Sequence, residues 1–89
     1  MLPNPEIDKL IQIAEDTALL YMQKDSLSVD EEVQLLASAY AILFLKAVDH
    51  SSTIDLSKAH GFLNQCFQKV GDTQFSRKHR VMEEAYRKI

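Results

Sequence analysis

Three histidines and one cysteine are the residues of this chain with the most chemical reach: His50, His60, His79 and Cys66. Imidazole nitrogen and thiolate sulfur together are the usual donors of a zinc centre. Their spacings, however, match no Cys-x-x-Cys or His-x-x-x-His arrangement, so no metal is expected from the sequence. Cys66 falls within the apolar stripe of a helical pattern. It reads as a small buried hydrophobe, not a nucleophile. His60 and His79 lie on or beside apolar stripes and read as core-edge histidines. No pair of carboxylates has an environment marked enough for acid–base work. The sequence holds no glycine-rich phosphate loop, no Gly-x-Ser-x-Gly and no Walker motif. The expectation is a non-enzymatic protein without cofactor.

Charge offers a second candidate. Residues 1–73 carry eleven acids against five lysines, a net of −6, and residues 74–89 carry five bases against two acids, a net of +3. Together these give the chain's net charge of −3. Arg77, Arg80, Arg87 and Lys88 share one face of a helical pattern. They form a candidate docking strip for an acidic partner or for nucleic-acid phosphates. The competing reading is a solvated face, because Glu83 and Glu84 lie three or four residues from Arg80, Arg87 and Lys88. An acidic balance and the lack of any nucleic-acid-reading motif make nucleic-acid binding the alternative and not the leading reading.

These residues must be carried by helices. Asn4 followed by Pro5 reads as an N-cap with proline at the first helical position, and a helix follows to about residue 24. Its expected inward stripe is Ile7, Leu10, Ile11, Ala14, Ala18 and Tyr21. Leu19 stands in the polar face. Ser28 to Glu31 matches the Ser-x-x-Glu capping box and opens a second helix, about 29–49. Asp55 is the expected N-cap of a third helix ending near Val70, with Gly71 as the residue that stops it. Gly61 in its middle suggests close packing. A fourth helix, about 75–88, aligns Phe75, His79, Met82, Tyr86 and Ile89, with Val81 and Ala85 widening the stripe. No strand pattern or internal repeat is present. The reading is all-α: one bundle-like domain over 1–89, with four helices.

The segment Val33–Val48, VQLLASAYAILFLKAV, is broken only by Gln34, Ser38 and Lys46. It is too short and too interrupted for a bilayer, which needs about 20 apolar residues. A helix that is apolar nearly all round must be covered on nearly all sides. Three flanking helices, or a second chain, must therefore supply the cover. Eighty-nine residues without a disulfide make a marginal core, and such chains often gain stability by oligomerising. A homodimer built on the second helix and parts of the first and fourth is the expectation. The candidate contact residues are Leu19, Leu36, Tyr40, Leu43, Phe44 and Phe62. A lone cysteine and an N-terminal stretch without a signal-like pattern place the expected site of action in the cytoplasm.

Two stretches resemble known families. Tyr21 to Leu45, YMQKDSLSVDEEVQLLASAYAILFL, has a tyrosine at a helix end, a short polar linker, paired acids at a helix start, then Leu and Ala at helical spacing. It resembles the small enterobacterial proteins of the YmgB/AriR type, which implies an all-α dimer acting as a biofilm or signalling connector. Ile54 to Gly71, IDLSKAHGFLNQCFQKVG, is similar to the helical-bundle immunity proteins of bacteriocin producers. Each covers under a third of the chain, and neither carries over a functional residue. The leading expectation is a small regulatory or adaptor protein with an unidentified protein partner.

Overall fold

The structure is a computed structural model that describes residues 5–49 and 52–88, the side chain of Thr73 excepted. It is all-α: helices α1 (Pro5–Met22), α2 (Val29–Val48), α3 (Thr53–Lys69) and α4 (Thr73–Arg87), with no strand among the described residues. The expected cap at Asn4, along with His50 and Ile89, lies outside the described residues.

The helix ends show how local chemistry sets the boundaries. At the start of α2 the Ser28 hydroxyl accepts from the Glu31 backbone N–H at 3.2 Å, and the Glu31 carboxylate accepts from the Ser28 N–H at 3.0 Å. This is the reciprocal capping box. Glu31 also binds the Lys24 ammonium, and these contacts hold its carboxyl at about 2. Lys69 donates to the Lys24 carbonyl at 2.5 Å, tying the end of α3 to the α1–α2 turn.

α3 corrects the expected boundary. Its N-cap is Ser52, whose hydroxyl accepts from the Asp55 N–H at 3.2 Å, so the helix starts two residues before Asp55. Asp55 sits instead in the first turn, where its charge favours the helix dipole. α3 ends as expected at Gly71, which has φ +82°. The Asp72 and Gly71 N–H groups bond back to the Phe67 and Gln68 carbonyls at 2.8 and 3.1 Å, the Schellman arrangement. Asp72 then caps α4 through the Phe75 N–H at 3.1 Å, so α4 begins at Thr73 and not near Phe75.

Each helix packs on its sequence neighbour, α1 on α2, α2 on α3, and most extensively α3 on α4. The core is Ala18, Leu35, Ala39, Leu63, Cys66 and Phe67, with Tyr21, Leu36, Leu43, Phe62 and Val70 packed against it. Ala18 and Ala39 are almost fully covered, and their small side chains allow close approach between helices. The four-helix domain is drawn out into a slab of 40 × 29 × 15 Å.

That shape leaves α2 without full cover from its own chain. The flanking helices do not wrap α2: only Leu35, Ala39 and Ile42 are buried on it, while Val29, Val33, Tyr40, Phe44 and Val48 are exposed. α1 and α3 each cover one flank of α2, α4 packs on α3 and meets α2 through Tyr40, and the outer side of α2 is left open. Leu10, expected inside, is 52% exposed for the same reason. α4 is also rotated from its expected stripe. Ser76 and His79 are buried on it, whereas Phe75, Val81 and Met82 are exposed. Among the described residues, no helix is long and apolar enough to cross a membrane.

Candidate functional site

The α1–α2 hairpin is antiparallel, and the Tyr21 hydroxyl donates to Gln34 Oε1 at 2.5 Å, which fixes its register. Ala14 and Ala18 turn toward α2, and Glu15 and Leu19 face the α3 side. Helical geometry therefore sends Leu10, Ile13 and Leu20 to the opposite, outer side. There they adjoin the exposed stripe of α2, formed by Val29, Val33, Tyr40, Phe44 and Val48 at spacings of four and seven residues. None of these eight side chains is charged, and they are between 40% and 75% exposed. Together they uncover on the order of 800 Å² of apolar surface, the share that each partner gives to a standard interface. A monomer's largest apolar patch is normally about 300–600 Å².

Tyr40 ends this face and begins a buried polar row. Its hydroxyl lies 2.8 Å from His79 Nε2, and His79 Nδ1 lies 2.9 Å from His60 Nδ1. Both imidazoles are buried and meet edge to edge, with centroids 5.1 Å apart and planes 22° from parallel. Phe67 stacks on His79 and Tyr86 on His60. Burial lowers the pKa of each ring below the usual histidine range. His79 adds to the effect on His60, and Lys78 to that on His79. Burial, with Asp72 as the lesser cause, raises the Tyr40 phenol. With both rings neutral, the row closes in two ways. Tyr40 donates to His79, which donates to His60, or every donation runs in reverse.

The rest of the α3–α4 contact is also polar. Ser57 donates to the Glu83 carbonyl at 2.8 Å, and Ser76 donates to Asn64 Oδ1. Among the described residues every buried side-chain nitrogen or oxygen has a partner. Reasoning from sequence missed this zipper, although its signal was present. Ser57, His60 and Asn64 repeat the same three-then-four spacing as Ser76, His79 and Glu83.

The other candidates fall in different places. Cys66 is fully buried and its thiol is pushed up to about 12 by burial, which removes the thiolate needed for nucleophilic attack. It belongs to the core, as its place in an apolar stripe implies. No group of three histidine, cysteine or acidic side chains among the described residues is arranged to hold a metal. The six candidate contact residues divide three ways. Tyr40 and Phe44 lie on the outer face, Leu36 and Leu43 pack half-buried against the core, and Leu19 and Phe62 line a separate cleft. Arg77, Arg80, Arg87 and Lys88 are all exposed on α4. Arg80 lies 3.9 Å from Glu84 and Arg87 3.4 Å from Glu83, so two of the four have a local acidic partner.

No family model, curated protein or solved structure matches this chain. The functional reading therefore rests on the geometry alone.

Proposed function

We propose that this chain is a small non-enzymatic regulatory or adaptor protein of the cytoplasm that acts through protein–protein contact, first of all with a second copy of itself. The observation that carries the reading is the uncharged face of Leu10, Ile13, Leu20, Val33, Phe44 and Val48. With Val29 and Tyr40 included, it exposes on the order of 800 Å², one partner's share of a standard interface. With no charge on these side chains themselves, a two-fold contact through them sets no like charges against each other. Pairing two hairpins through this face would surround each α2 with helices on all sides and bury the run that the chain alone leaves open. Of the basic strip, Arg77 borders this face beside Tyr40, and Arg80, Arg87 and Lys88 are the surface left for an acidic protein partner. The local pairs at Arg80 and Arg87 weigh against reading that strip as a nucleic-acid site.

Sedimentation velocity at low micromolar concentration tests the reading. The expected species has a mass of about 20 kDa, twice the 10.2 kDa of one chain, as a two-fold dimer requires. A species of chain mass alone at that concentration rejects it.

A further inference from the structure

On the other side of α2 from the proposed contact face, α1, α2 and α3 line an open cleft of about 220 Å³. This exceeds the roughly 150 Å³ of engineered apolar cavities that take up benzene. Leu19, Ile42 and Phe62 supply most of its wall, and Glu15, Lys46 and Lys58 supply its polar groups. The helix directions order these groups along the cleft. α1 and α3 both run antiparallel to α2, so Leu19 and Phe62 lie toward one end of the cleft. Lys46, near the C-terminal end of α2, and Lys58, near the start of α3, lie toward the other.

Neither lysine has an ion pair or hydrogen bond among the described residues. By contrast, Lys24 binds Glu31 and Lys69 bonds a carbonyl. Lys46 is the single charged residue of the apolar run and is half-buried. The N-terminal end of α3, which carries the positive end of its dipole, lies one turn from Lys58. In residues 1–73, where acids outnumber lysines by more than two to one, this cleft gathers two ammonium groups against one carboxylate.

We infer that the cleft is a binding site for a small amphipathic carboxylate, a short fatty acid or an aryl-alkanoic acid. The carboxylate sits between Lys46 and Lys58, and the tail runs over Ile42 toward Leu19 and Phe62. The volume accommodates an acyl chain of about eight carbons, or one ring with a short arm. Glu15 on the α1 wall opposes the ligand's charge and limits affinity. The inference stands apart from self-association, since it uses the opposite side of α2.

The test is a titration of the intact protein with octanoate, 1-octanol and octylamine, followed by amide and methyl NMR shifts. The expected result is saturable binding of octanoate at least tenfold tighter than either analogue, with shifts centred on Leu19, Ile42 and Phe62. The double variant Lys46→Gln/Lys58→Gln should lose at least tenfold in octanoate affinity, and Glu15→Gln should gain severalfold. Circular dichroism checks that each variant keeps its helices, and the exposed position of Lys58 gives a single variant that leaves the core alone. Equal binding of the three probes, no saturation by octanoate, unchanged affinity in the lysine variants, or shifts centred on Val33 and Phe44 would each overturn the inference.

Discussion

His60 and His79 face each other Nδ1 to Nδ1 at 2.9 Å across the α3–α4 contact, so only one of the two facing nitrogens can carry a proton. One added proton can still be accommodated, because His79 then donates to both His60 and Tyr40. A second proton would set two N–H groups against each other inside the fold. The pair therefore joins α3, α4 and α2 only while at least one ring is neutral.

The first prediction concerns pH. Both rings are held below their ordinary 6.5, chiefly by burial, so the unfolded chain binds protons there that the native chain does not. The stability this represents is present above about pH 6.5 and is lost as pH falls from there through the lower native values. The melting temperature followed by circular dichroism should fall steadily between pH 7 and pH 5. In His79→Gln that slope should be shallower, whatever the variant's starting stability. A melting temperature that holds or rises over this window would contradict the neutral pair. Glu31 acts in a separate window, losing its contribution only as pH falls from about 4.5 toward 2.

Phe44 is 69% exposed, and it stands at the centre of the proposed contact face. Phe44→Glu should therefore shift the sedimentation profile from dimer to monomer while the far-ultraviolet spectrum of the chain is retained. Leu35→Ala gives the opposite pattern. Leu35 is fully buried, and its loss should cost about 2–5 kcal/mol in urea unfolding. If Phe44→Glu leaves the mass unchanged, the contact lies elsewhere.

The two glycines should respond with opposite sign. Gly71 has φ +82° and open space around it, so Gly71→Ala meets no clash and pays only for its backbone, about 1–2 kcal/mol destabilising. Gly61 lies in mid-helix, where a methyl group would meet the Glu83 carboxylate, the far end of a flexible and partly exposed side chain. Gly61→Ala should therefore be neutral or stabilising by up to about 1 kcal/mol, the helix-propensity gain of alanine. Urea midpoints of the two variants measure both. A loss in Gly61→Ala as large as that in Gly71→Ala would mean that Glu83 is fixed in place.

Cys66 should be silent toward thiol reagents in the native protein. With no exposed surface and its pKa near 12, it offers little thiolate at pH 8. Modification by Ellman's reagent should proceed at the rate of unfolding and become fast in urea. Prompt labelling of the folded chain would contradict the packing of α3.

The sequence by itself determined much of what is local. Ser28 with Glu31, and Gly71 after α3, are caps whose partners lie within five residues, so their chemistry is written in adjacent positions. The 3.6-residue periodicity likewise set four helices, and Ala14, Ala18 and Cys66 as inward residues. Where two local signals competed, as at Ser52 and Asp55, the sequence did not choose; the Ser52 hydroxyl reached the free N–H group. What only the tertiary structure decided was how the faces are shared out. Leu10, Phe75 and Val81 are apolar at helical spacing, but burial needs a neighbour, and the slab leaves none on their side. The row from Tyr40 to His79 to His60 joins residues 19 and 39 positions apart, a juxtaposition that depends on the angles at which α2, α3 and α4 meet. The openness of α2 has the same origin. Its composition demands cover, while the arrangement of the other three helices decides which side goes without it.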